Sequence, residues 1–160
     1  MQRILSLVLV SLLAACHGIT EPEPRPQQPD PHAHPAPTGA EGVDGVVIKL
    51  VGDFEPCSLP CSTSGTTTPL SVPVHVFRGA HRVVEKLDPK DPALVQSVLA
   101  DEKGFYQAEL PPGVYTVIAE IDGKLYLNAY QGGTDEWATV TVATGAWTEH
   151  SIDDDSQAAF

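Results

Sequence analysis

From residue 43 onward, apolar and polar positions follow a two-residue period in short runs, and the three-to-four spacing of an amphipathic helix is absent. Val72, Val74 and Val76 alternate with Pro73, His75 and Phe77, so one face of that run is aliphatic. Tyr115, Val117 and Ala119 alternate with Thr116 and Glu120, with Ile118 as an apolar exception. The runs are rich in Val, Thr, Tyr and Ile, residues that suit a pleated, half-buried surface. Strands are predicted at 45–51, 72–78, 95–100, 105–110, 115–121, 125–130, 138–142 and 147–152. Between them lie turn signals: Asp101-Glu102-Lys103-Gly104, Pro111-Pro112-Gly113 and Asp122-Gly123-Lys124. Segment 79–92 is longer and charged and reads as an excursion, with at most one helical turn at 93–97. The expected fold is all-β, a single β-sandwich of seven to eight strands.

The chain before residue 43 follows different rules. Met1-Gln2-Arg3 is a short basic head, residues 4–15 carry no charge, and the run closes on Leu13-Ala14-Ala15-Cys16. A basic head, an apolar stretch and small residues form a secretory signal. The stretch is shorter than the roughly 20 residues that span a bilayer. Leu-Ala-Ala-Cys resembles the lipobox of bacterial lipoproteins. The resemblance implies that the Cys16 thiol takes a diacylglyceryl group, that the chain is cut before Cys16, and that the new amine is acylated. Residues 1–15 are then the signal peptide, residues 16–42 the lipidated cysteine and its linker, and residues 43–160 the folded domain. The alternative is an ordinary secretory signal that Cys16 happens to follow. His17, not Asp, comes after the cysteine; by resemblance to enteric sorting this leans towards the outer membrane.

The linker carries Pro22, Pro24, Pro26, Pro29, Pro31, Pro35 and Pro37. Proline locks φ and removes the amide donor, so neither helix nor sheet interior suits it. About twenty such residues, at about 3.1 Å each, reach roughly 60 Å from the lipid. His32 and His34 have a spacing that can chelate a metal, but two imidazoles on a solvated spacer make a weak site.

The formal net charge is −12. Nucleic-acid partners need a basic face, so they are not expected. Anionic headgroups are equally unsuitable, which leaves the covalent lipid as the link to the membrane. Asp153-Asp154-Asp155 reads as a solvated tail. With Cys16 assigned to the lipid, Cys57 and Cys61 remain, an even pair outside the cytoplasm. A Cys57–Cys61 disulfide is the expectation; free thiols, or a metal or redox role, are the alternatives. A metal site wants about four ligands and this pair supplies two.

Asp101-Glu102-Lys103-Gly104-Phe105-Tyr106 and Leu110-Pro111-Pro112-Gly113-Val114-Tyr115-Thr116-Val117 resemble the D-x-x-G-x-F/Y and L-P-P-G-x-Y-x-V signature of carboxypeptidase regulatory-like domains. The opening Gly45-Val46-Val47 and the Val72–Phe77 run are also similar to that family. The resemblance spans roughly 44–152 and implies a transthyretin-like (prealbumin-like) Greek-key sandwich serving as an accessory or interaction module. Gly104, Gly113 and Tyr115 then read as structural, with Gly113 expected in a left-handed turn.

Enzyme readings find little footing. His81 is followed by Glu85 as HxxxE, not the HxxE of zinc carboxypeptidases. The Tyr-Arg-Gly-Ser ending of hydroxyisourate hydrolases is missing. The His-x-His that holds iron in intradiol dioxygenases has no counterpart after Tyr115. No GxSxG elbow occurs. His75 reads as a packed or exposed sheet residue. No catalytic residue, metal site or cofactor is expected. Two functions remain: a lipid-anchored, non-catalytic envelope module facing an envelope protein, or a carbohydrate-binding module stacking sugars on Tyr126, Tyr130, Trp137 and Trp147. Exposed coplanar aromatics would favour the glycan, buried ones the protein.

Overall fold

The first strand of the fold is also its hub. β1 (Gly42–Asp53) pairs with four others along its two edges. This is a computed structural model, and it describes residues 38–55, 64–83, 87–88, 90–129 and 135–160. All of them fall in one of the chain's two compact units, His34–Phe160. Cys16, Cys57, Cys61 and Tyr130 lie outside the described residues.

The other strands are β2 (Thr66–Pro69), β3 (Pro73–Arg78), β4 (Leu94–Leu99), β5 (Phe105–Glu109), β6 (Gly113–Ile121), β7 (Lys124–Tyr126), β8 (Val140–Val142), β9 (Trp147–Glu149) and β10 (Ile152–Ala159). Among the described residues there is no helix. The all-β expectation therefore holds, but with ten strands in place of seven or eight. The predicted helical turn at 93–97 is strand from Leu94 onward.

The strands form two five-stranded sheets. In the first, the amino-terminal half of β1 pairs antiparallel with β5 and parallel with β9. Its second half pairs antiparallel with β2 and parallel with β10. Val47 is the junction: its N–H donates to Gly104 O at 2.8 Å and its carbonyl accepts from Leu70 N–H at 2.9 Å. The second sheet runs β4-β3-β6-β7, with β8 also on β6. Val43, Val47 and Ile152 from the first sheet and Val74, Val76, Tyr115, Val117 and Ala119 from the second share one buried core.

β3 and β6 are buried on both faces at their centres, which a two-residue alternation alone does not predict. His75, Phe77, Thr116 and Ile118 occupy the second face. Around them, Trp137 N–H donates to His81 O at 2.9 Å and Val83 N–H to Asp135 O at 2.7 Å, so segment 81–83 runs beside 135–137. The His81 ring meets Phe77 edge-on at 5.9 Å. The apolar exception at Ile118 is thereby explained: it belongs to this second buried face.

Three sequence readings are corrected here. Asp153-Asp154-Asp155 is not a solvated tail but part of β10, laid parallel against Ile48 and Lys49. Ile152 anchors that strand in the core, and Asp154 is buried with its carboxylate on Ser156 and 3.9 Å from Lys49 Nζ. The predicted strand 147–152 breaks at His150-Ser151. There the chain steps from β9 to β10, and a Cβ on Gly45 would stand 2.1 Å from His150 O. Gly113 does not have a positive φ. Its constraint is the Tyr115 ring, whose Oη would lie 3.1 Å from a Cβ there. Of the two turn glycines, Gly104, with φ +77, is the one that adopts the left-handed region.

Candidate functional site

The second face of the second sheet carries a chain of three polar side chains across three neighbouring strands, buried at its centre and open to solvent at β4. β4, β3 and β6 are antiparallel neighbours, and the register sets Ser97 opposite His75 and His75 opposite Ile118. Glu120 lies two residues beyond Ile118 on the same face. The His75 ring is the middle link: Nδ1 is 2.8 Å from Ser97 Oγ and Nε2 is 3.1 Å from Glu120 Oε2. His75 is only 4 % exposed, while Ser97 faces solvent between Val95 and Leu99.

A neutral ring protonated at Nε2 donates to Glu120 and accepts the Ser97 hydroxyl proton at Nδ1. A protonated ring donates to both. Serine, histidine and carboxylate in line are the skeleton of a nucleophile relay. Such a relay also needs donors aimed at the oxyanion. In a strand the N–H groups lie in the plane of the sheet, whereas Ser97 Oγ projects out of it. The direct effect of these three side chains is to tie the end strand β4 to β6 across β3. Sequence reading missed it because Ser97 and Glu120 carry no motif; only the strand register brings them to His75.

Two tyrosines lock the sheets. Tyr106 donates its hydroxyl to His150 O, at the step between β9 and β10. Burial, reinforced by Asp44, pushes its phenol well above the ordinary range. Tyr126 of β7 donates to Asp155 Oδ1 at 2.7 Å and accepts from Asp155 N–H at 3.1 Å, joining the second sheet to the first. Asn128 Nδ2 donates to the other Asp155 oxygen at 3.2 Å. Asp155 reaches them from a bulge: between the pairs at Lys49 and Val51, β10 has one residue more than β1. The Tyr126 hydroxyl and Asn128 hold the Asp155 carboxyl below its ordinary range.

The two tryptophans proposed to stack sugars are also engaged. The Trp147 ring covers Gly42, where a Cβ would meet it at 2.8 Å, and its Nε1 donates to Gly39 O at 3.4 Å. Trp137 is half-buried and packs on the core. Tyr126, Trp137 and Trp147 sit respectively on β7, in the 135–139 segment and on β9, so they are not one strand face. His150 Nε2 is buried, and among the described residues it has no hydrogen-bond partner. Among the described residues no three His, Cys, Asp or Glu side chains gather as a metal-holding group.

No protein-family model matches this chain, and no curated protein or solved structure matches it either.

Proposed function

We propose that the protein is a lipid-anchored, non-catalytic module of the bacterial cell envelope, held at Cys16 and presenting a transthyretin-like Greek-key sandwich of the carboxypeptidase regulatory-like type to an envelope protein. The observation that carries the reading is Leu13-Ala14-Ala15-Cys16 at the end of an uncharged run, followed by a proline-rich spacer. The outer membrane suits His17 better than the inner. The fold type is supported by the Leu-Pro-Pro-Gly-Val-Tyr segment, where Tyr115 donates its hydroxyl to Pro111 O at 2.7 Å and pins the turn that starts β6. A non-catalytic role is supported by the use of Ser97, His75 and Glu120 on one another in a sheet face. The engaged Tyr126, Trp137 and Trp147 support a protein over a glycan as the partner.

The test is intact-mass analysis of the full chain recovered from a bacterial membrane fraction. A mature protein beginning at Cys16 with diacylglyceryl and acyl mass, lost in Cys16→Ser, is the expected result. An unmodified Cys16 in the mature chain overturns the anchor. Binding of Trp147→Ala-sensitive polysaccharide would replace the protein partner by the glycan reading.

A further inference from the structure

The end strands of the two sheets are not equally protected. Exposed edges invite another chain to add a strand, and natural proteins blunt them with short length, charge or proline. β10 carries three aspartates, β2 is four residues closed by Pro69, and β7 is three residues opening on Lys124. β4, Leu94-Val95-Gln96-Ser97-Val98-Leu99, is six residues with neither charge nor proline. Its one irregularity, the slip between Val76 and Phe77, falls at its start and leaves Gln96–Leu99 regular. Val95 and Leu99 are among the exposed large apolar residues, Leu99 at 69 %.

Backbone direction follows from the ladder. Ala100 donates its N–H to Val72 O at 3.0 Å. Bonded pairs recur every second residue, so Val98 is the next bonded partner of β3, and the N–H and C=O of Ser97 and Leu99 point away from it. Among the described residues no strand pairs with that edge.

We propose that this edge takes the β4 strand of a second copy of the chain, antiparallel, with Ser97 opposite Ser97 of the second copy. In that register Ser97 exchanges both backbone hydrogen bonds with its counterpart. Val95 then faces Leu99 across the junction, twice by symmetry, so the two exposed apolar side chains of the strand cover each other. Every pair lies on one face of the joined sheet, as side-chain alternation demands. Charge favours the same place: a chain of net charge −12 repels its copies least along an uncharged strand. The two second sheets would fuse into one continuous sheet.

One strand pair buries less than the roughly 1,200–2,000 Å² of a stable interface. The dimer is therefore weak in dilute solution and favoured where copies are held close together. The register makes it testable by cross-linking in cells. The full chain carries Ser97→Cys with Cys57→Ser and Cys61→Ser and is oxidised with copper phenanthroline. Bonded antiparallel pairs have Cα atoms about 5.5 Å apart, within disulfide reach. Position 95 is staggered from its own copy by four residues, about 13 Å, which is out of reach. The expected result is a 97–97 dimer on a non-reducing gel, at least tenfold weaker with Val95→Cys in place of Ser97→Cys, and at least tenfold weaker when Leu99→Lys is added. Thermal unfolding of Leu99→Lys checks that this exposed position leaves the fold intact. Equal linking at 95 and 97, linking at 95 alone, or linking at neither, overturns the proposal.

Discussion

Gly104→Ala is the substitution that most directly tests how the first sheet is joined. Gly104 sits at φ +77, where a β-carbon costs about 1 kcal/mol or slightly more. The new methyl would also stand 2.4 Å from Val47 O, a backbone atom in the hub strand that cannot rotate aside. Relief requires Gly104 to move from β1, which strains the 2.8 Å bond from Val47 N–H to Gly104 O, worth about 1 kcal/mol. The combined loss is roughly 2–4 kcal/mol. At about 4 °C per kcal/mol for a domain of this size, melting falls by roughly 8–16 °C. Gly79→Ala and Gly123→Ala isolate the conformational part. Both glycines have positive φ, +83 and +70, and open space where the methyl would go. They should melt only about 4 °C below the parent. The assay is thermal unfolding of the three purified variants, followed by circular dichroism. If Gly104→Ala melts with the other two, the close approach to Val47 is not what holds β5 and β2 together on β1.

Three further outcomes follow from the side-chain contacts. His75→Ala leaves Glu120 and a buried gap behind and should cost about 2–3 kcal/mol in chemical denaturation, against about 1 kcal/mol or less for His81→Ala; equal losses would refute the stitch across β3. Tyr126→Phe keeps the ring but removes the tie to Asp155, at about 1 kcal/mol. Because the Asp155 carboxyl is held low when folded, its contribution is present above about pH 4 and disappears as pH falls through the folded value. Melting curves taken across that acid range should therefore drop less steeply for Tyr126→Phe than for the parent. Burial holds the His150 imidazole below its ordinary range, opposed in part by a hydrogen bond to the Val117 backbone. The unfolded chain thus binds the proton more readily, and stability declines as pH falls from about 6.5 through the folded value. His150→Phe should match the parent near pH 7.5 and exceed it near pH 5; parallel melting curves for the two proteins would refute this.

The turns and the aliphatic faces were the readable part of the sequence. Asp122-Gly123 has φ 52 and +70, the two positive values of a tight hairpin turn, and Asn-Gly and Asp-Gly pairs announce that geometry directly. Val74, Val76, Val117 and Ala119 fell on the core side as their alternation required. What escaped depends on partners far away in the chain. β10 holds Asp153, Asp154 and Asp155, which no local propensity places in a strand. It is strand because Ile152 reaches the core and because Lys49, Ser156, Tyr126 and Asn128 take up two of the three carboxylates. β2, Thr-Thr-Thr-Pro, is exposed throughout and shows no alternation to detect; its ladder to Ile48–Val51 defines it. The Ser97–His75–Glu120 chain was hidden for the same reason. His75 was visible as one member of a strand, but its two partners are set by register.

The position of β1 has a consequence for when the chain can fold. The hub strand is made first, yet its parallel partners β9 and β10 are made last of the described strands. Until they emerge, one whole edge of β1 is bare and Ile152 is missing from the core. Contacts of such long sequence separation delay folding, because the loop between them must close before the contact returns anything. A protein proposed to be threaded unfolded through a translocation channel gains from that delay. Its amino-terminal half cannot settle into a finished sheet on the near side, since the strand that completes the sheet follows all the other described strands through.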